Sequence, residues 1–337
     1  MSLRDPNVLN PKAPKRIALV IANPAVSTTT GWPVGFWWSE LTHPYLAFHE
    51  AGYEVEVFSP AGGACVADGM SDPNDASGYS KTDLISQGFI HTPELKALVD
   101  QTKKVADIDV AAFDAIVVAG GQAPMFTFET ATDLHRTFAA FFETGKVAAA
   151  LCHGSAILAY AKTSSGESIA KGRTVTGFAN VEEDFADHAV WSYGLLPRDQ
   201  HVMPWRIEDR LKALGANYVQ GGLWRGFAVR DGNLVTGQQN FSGVETARLV
   251  IEALGREEPE AILLTHTHFD HVGAVAPVAR ETGAPVYCPE LEVPVLADIM
   301  SFVPWPGFGP YESWEAEETV KGGEKLELAG FEIDVLF

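Results

Sequence analysis

Residues 147–151, Val-Ala-Ala-Ala-Leu, form a run without one polar side chain. A strand with one wet face alternates polar and apolar residues, so a wholly apolar strand must be covered on both sides. That setting is a parallel sheet with helices above and below it. The runs RIALVIA (16–22) and AIVVAGG (115–121) ask for the same environment, and YEVEVFS (53–59) adds a strand that alternates. Helices are predicted over 38–51, 92–104 (Pro93 in the first turn), 132–144, 204–214 (Pro204 near the start) and 242–254, most of them closed by glycine. TVTGF (174–178) adds a further strand, and residues 226–237 a hairpin with Asp231-Gly232 in the turn. The alternating order predicts an α/β fold, a mostly parallel sheet sandwiched by helices. Such sheets bind ligands outside the carboxyl ends of their strands.

The chain has 337 residues and a formal net charge of -20. A surface this acidic repels phosphate backbones and anionic lipid, which argues against nucleic acid and membrane as partners. No stretch reaches the ~18 apolar residues of a membrane span. Three cysteines, far apart in sequence, do not make a disulfide framework and fit a reducing cytoplasm. From Arg256 onward the chain carries 4 basic and 16 acidic residues, so most of the net charge sits in the last quarter. That shift predicts a flexible arm at 1–15, one domain over 16–255, a linker at 256–260 (REEPE) and a second segment over 261–337.

The apolar run at 147–151 leads directly into Cys152-His153-Gly154. A cysteine at that corner lies at the carboxyl edge of the sheet, and a helix is predicted to open at Gly154-Ser155. The helix dipole and His153 both favour a thiolate, the nucleophilic form. Three features gather around it: Glu40 on the helix after the first strand, the glycine turn AGGQAPMF (119–126), and GFANVEEDF (177–185) with Glu182, Glu183 and Asp184 past a strand end.

Six ordered pieces, Glu40, SPAGG (59–63), Gly120-Gly121, Cys152-His153-Gly154, VTGFANVEE (175–183) and LVTGQQNFSG (234–243), resemble the ThiJ/PfpI superfamily. Its fold is flavodoxin-like, of the class I glutamine amidotransferase type, and the nearest branch is that of glyoxalase III and the heat-shock chaperones. The resemblance covers about 16–255. It implies Cys152 as nucleophile, His153 as proton-transfer partner, Glu183 as the carboxylate orienting that histidine, and Glu40 as a protonated carboxyl on the sulfur. It places an oxyanion and substrate pocket at Gly120, Gly121 and the His153 amide. Gln122 stands where that branch commonly has histidine. The implied activity is a cofactor-independent glyoxalase, a lyase of the D-lactate dehydratase type, taking a small aldehyde such as methylglyoxal to a 2-hydroxy acid through a cysteine hemithioacetal. The resemblance also implies a homodimer. Two other functions fit the same scaffold: a cysteine amidohydrolase or peptidase, and a stress chaperone without turnover.

A second signal lies in AILLTHTHFDHVGAVAPVARETGAPVYCPE (261–290), which resembles the metal loop of the metallo-β-lactamase superfamily, where glyoxalase II belongs. There His266 and His268 would hold one zinc, and Asp270 and His271 another, giving a zinc hydrolase as the remaining alternative. Four groups on one tight loop do not easily surround one ion. No histidine follows His271, and KLELAGFEIDVLF (325–337) resembles the strand that leads to the next ligand. The expectation is an incomplete site in a truncated or fused segment.

Among other residues, Cys65 is expected to be a bystander thiol. Trp32, Trp37 and Trp38 are expected to wall the pocket or pack the core. Trp191, His201 and Trp205 are expected to cap the site.

Overall fold

The structure, a computed structural model, describes residues 14–255, 261–303, 307, 309–328 and 331–336. The expected arm, up to residue 13, and the whole expected linker 256–260 lie outside the described residues. Two compact units are present, residues 1–255 and 256–337.

The first unit is built on seven strands: β1 (Arg16–Val20), β2 (Glu54–Ser59), β3 (Lys103–Lys104), β4 (Ala115–Val118), β5 (Val147–Leu151), β6 (Ala228–Asp231) and β7 (Leu234–Gly237). Their order across the sheet is β6-β7-β5-β4-β1-β2-β3. All neighbours are parallel except the β6–β7 hairpin. Every residue of β4 and β5 is buried, as their composition requires. Side chains alternate between two cores: Ala18, Val20, Ile116, Val118, Ala148 and Ala150 face one layer, and Ile17, Leu19, Ala115, Val117, Val147 and Ala149 the other. Helix Thr132–Glu143 buries Leu134, Phe138 and Phe141 in the first core. Helices Trp38–Glu50 and Gly243–Leu254 supply Leu41, Phe48, Ala247 and Val250 to the second. Each valine, leucine, isoleucine or phenylalanine among them contributes about 1.5–3 kcal/mol on burial.

Several elements differ from expectation, each for a local reason. The helix predicted over 92–104 is Pro93–Asp100, and Lys103–Lys104 instead pairs with Phe58–Ser59 at the sheet edge. The strand at 174–178 is only Thr174–Val175 and pairs with Asn217–Tyr218 in a separate two-stranded sheet. Residues 180–192 are helical, so Glu182 and Glu183 sit in a first helical turn, where a carboxylate complements the dipole. The hairpin turn is Gly232-Asn233, with Gly232 at φ 61, while Asp231 ends its strand and accepts from the Thr174 N–H at 2.7 Å.

The second unit has a three-stranded parallel sheet, in the order Ile262–Leu263, Val286–Pro289, Glu318–Val320. Helix Val275–Thr282 covers it, and Val272, Val275, Ala279, Val286, Cys288, Leu296 and Ile299 form its core. The segment expected as one strand at 325–337 is a hairpin, Lys325–Leu328 against Phe331–Asp334.

Candidate active site

Cys152 follows β5 directly and has φ 55, a conformation that few residues other than glycine adopt. The helical run after it begins at Cys152 itself and is of 3-10 form to Ala159, not an α-helix opening at Gly154. The corner depends on two glycines. A Cβ at Gly120 would sit 2.7 Å from the Gly154 nitrogen and 2.8 Å from Glu40 Oε2. Gly121 has φ +95, and a Cβ there would lie 2.5 Å from the Phe36 carbonyl carbon. Close backbone approach is therefore what brings the ends of β4 and β5 together around the sulfur.

Cys152 Sγ lies 3.7 Å from His153 Nδ1, and His153 Nε2 lies 3.0 Å from Glu183 Oε1. All three residues are buried. The imidazole is held flat against Phe178, with ring centroids 4.1 Å apart and planes at 21°. Of the three neighbouring acids only Glu183 reaches it. Glu182 turns inward to accept from the Ala179 N–H, the Trp224 N–H and Gln238 Nε2, and Asp184 pairs with Arg206 at 3.0 Å.

On the other side of the sulfur lies Glu40, fully buried. Its Oε2 accepts from the Gly120 N–H at 2.7 Å, and the Cys152 thiol lies beside the carboxyl. Burial pushes this carboxyl up to about 8, against the pull of the Gly120 N–H and the Cys152 thiol. The thiol is pushed well above its ordinary value, first by burial and then by Glu40, while the amides of His153 and Gly121 pull it down. The resting sulfur is thus driven toward its protonated form, contrary to the thiolate expected from sequence. Its proton must leave when the sulfur attacks.

The site opens into a cavity of about 390 Å³ whose lining includes Gly121, Gln122, Cys152, His153, Glu183 and Asn240. Trp32 and Trp37 line it as expected, whereas Trp38 is 4% exposed and packs in the core. Trp191, His201 and Trp205 do not line it. Trp191 donates to the Gln200 carbonyl, His201 pairs with Asp187, and Trp205 meets Tyr160 edge-on. Val190, Val202 and Met203, their neighbours in sequence, line it instead. Cys65 is buried beside Asn23 and Thr102, outside the cavity.

Sequence reasoning missed Asp68. It is buried, and its two oxygens accept from the Gly35 N–H at 2.8 Å and the Gln122 N–H at 2.7 Å, pinning the glycine turn. Burial pushes its carboxyl up to about 6. It sits in a loop without periodicity, so no local pattern marked it. Trp224, also missed, carried one signal: a large aromatic set in the glycine-rich run GGLWRG.

In the second unit, His266 has ring centroids 4.9 Å from His268 and 4.1 Å from His271. His266 Nδ1 lies 2.9 Å from the Thr265 hydroxyl, and His268 and His271 are exposed. The Asp270 side chain lies outside the described part. Among the described residues no three histidine, cysteine or acidic side chains are grouped to hold a metal ion.

The DJ-1/PfpI family matches residues 34–253, and the metallo-beta-lactamase superfamily matches residues 238–335. A probable glutathione-independent glyoxalase of Schizosaccharomyces pombe is 30% identical over 248 residues, 66% of this chain and 92% of its own length. The glutathione-independent glyoxalase HSP31 of Saccharomyces cerevisiae is 26% identical, over 72% of this chain and 99% of its own. The crystal structure of glyoxalase III from Candida albicans superposes with a TM-score of 0.57 at 27% identity, covering 71% of this chain and 97% of that one. No helix among the described residues is long and apolar enough to cross a membrane.

Proposed function

The chain belongs to the DJ-1/PfpI family, and from that premise we propose that it is a glyoxalase III-like enzyme. It converts small α-oxoaldehydes such as methylglyoxal to 2-hydroxy acids, using Cys152 and neither glutathione nor another cofactor. The observation that carries this is the run of contacts Cys152–His153–Glu183 beside a protonated Glu40, at the floor of an open cavity.

The chemistry follows from those contacts. Glu183 accepts from His153 Nε2–H, which leaves the Nδ1 lone pair toward the sulfur. As Sγ adds to the aldehyde carbon, Nδ1 takes the thiol proton and returns it to the developing alkoxide, giving a hemithioacetal. The Gly121 and His153 amides, already aimed at the sulfur, are the donors closest to that new negative charge. Nδ1 then removes the hydrogen on the former aldehyde carbon. The electron pair forms an enediol, and the proton is delivered to the neighbouring carbon while the hydroxyl proton passes between the two oxygens. The product is a thioester, which water cleaves to free thiol and 2-hydroxy acid. No net oxidation occurs. The lyase type, the cysteine dependence and the assigned roles all belong to this proposal.

The test is to supply methylglyoxal without glutathione and measure lactate. Lactate formed in proportion to aldehyde lost is the expected result. Aldehyde loss without lactate, or no loss above the buffer rate, overturns the proposal.

A further inference from the structure

Methylglyoxal is small for this site. A cavity of about 390 Å³ lies within the range that holds drug-sized ligands, and at ~30 Å³ per water it has room for about a dozen waters. Methylglyoxal would fill less than half. The remainder is walled by Trp37, Phe178, Phe185, Val190, Met203 and Trp224. Trp224 stands nearly edge-on to two of these rings, at 5.9 Å and 64° to Phe178 and at 5.6 Å and 82° to Phe185. Packed edge-on, these rings form one continuous apolar wall suited to a flat apolar group. Among the described residues no lysine or arginine lines the cavity, while the Glu183 carboxyl does, so no described cation there balances a substrate carboxylate or phosphate.

Trp224 is held in place at a cost. Its φ is 54, a left-handed conformation unusual for a bulky aromatic. Its N–H is held by Glu182 Oε1 at 3.3 Å, and Glu182 is itself fully buried and tied to Ala179 and Gln238. Strain maintained by a buried anchor marks a side chain whose position matters. The same ring packs on Phe178, which stacks on His153, so the aromatic wall runs from the reacting centre outward.

We propose that this site selects uncharged α-oxoaldehydes bearing an aryl or bulky alkyl group over methylglyoxal, with Trp224 as the specificity-determining wall. The selection rests on the glyoxalase function proposed above. A single methylene in an apolar pocket discriminates by about 10-fold or more, so an aryl group has ample range.

The experiment compares kcat/KM for phenylglyoxal and methylglyoxal. Wild-type protein should favour phenylglyoxal by about 10-fold or more, chiefly through KM. In Trp224→Ala the phenylglyoxal KM should rise about 10-fold and the methylglyoxal KM by less, narrowing the ratio. Trp224→Gly, which also relieves the φ strain, should do the same. A wild-type ratio at or below unity, or a ratio indifferent to both variants, overturns the proposal. Tryptophan fluorescence titration of Cys152→Ala separates it from the fate of the glyoxalase function. If nothing is turned over, that function fails, and binding decides: phenylglyoxal held about 10-fold more tightly supports the selection, and equal affinities overturn it.

Discussion

The chain holds two clusters of reactive side chains, and they differ in what surrounds them. In sequence the second is denser: three histidines and an aspartate within six residues, 266–271, against Cys152 and His153 alone. In the structure the order reverses. Cys152 with His153, Glu183 and Glu40 come from three separate places in the first unit, all buried and each with assigned partners. His268 and His271 are exposed, and a ring nitrogen of His266 faces its own neighbour's hydroxyl. A short motif supplies reactive atoms; distant residues that orient and desolvate them supply the site. Glu40, 80 residues from the Gly120 amide it accepts from, makes that difference concrete.

The sharpest way to break the comparison is Cys152→Ala. If the first cluster holds the nucleophile, kcat for lactate formation should fall by about 10³-fold or more, while circular dichroism stays unchanged. Residual turnover within about 10-fold of wild type would move the chemistry elsewhere. Glu183→Gln should come next, lowering kcat by about 10²-fold with little change in KM. The amide keeps the size of the carboxyl but can donate to Nε2, which favours the tautomer with Nδ1 blocked. Loss in KM alone would make Glu183 a packing residue only.

Glu40 sharpens the contrast through stability. Burial lifts its carboxyl from an ordinary 4.5 to about 8. Between those values the folded chain keeps a proton that the unfolded chain has lost, so this contribution is complete below the lower value and drains away as pH rises through the upper one. Glu40→Gln stays neutral at every pH. Its unfolding free energy from urea titration should therefore gain on wild type between about pH 5 and pH 8, by on the order of a few kcal/mol. Parallel pH profiles for the two proteins would mean that Glu40 is ionised in the fold.

The same contrast explains what could be read in advance. β1, β4 and β5 were legible because a strand buried on both faces leaves an unbroken apolar run, and the cysteine corner followed from where β5 ends. Glu183 was legible only through its ordered company of motifs, since nothing local separates it from Glu182. Lys103–Lys104 was not legible as an edge strand, because two exposed lysines pair only through their backbone. Asp68 was invisible for a related reason: its partners are the N–H groups of Gly35 and Gln122, which every sequence carries. The six-residue histidine loop was legible as a metallo-β-lactamase-like motif, because its spacing is local, while the groups that would complete it are not.

The smallest expected effect is also the one that would invert the comparison. His266→Ala combined with His271→Ala, assayed for lactate formation with and without EDTA, should leave kcat/KM within about 2-fold of wild type. A catalytic zinc needs about three protein ligands plus an open position, and among the described residues no such group is assembled. If EDTA instead removed turnover, zinc restored it, and the histidine variant lost it while Cys152→Ala did not, the reacting centre would belong to the loop. The buried cysteine would then be packing, however well its neighbours are placed.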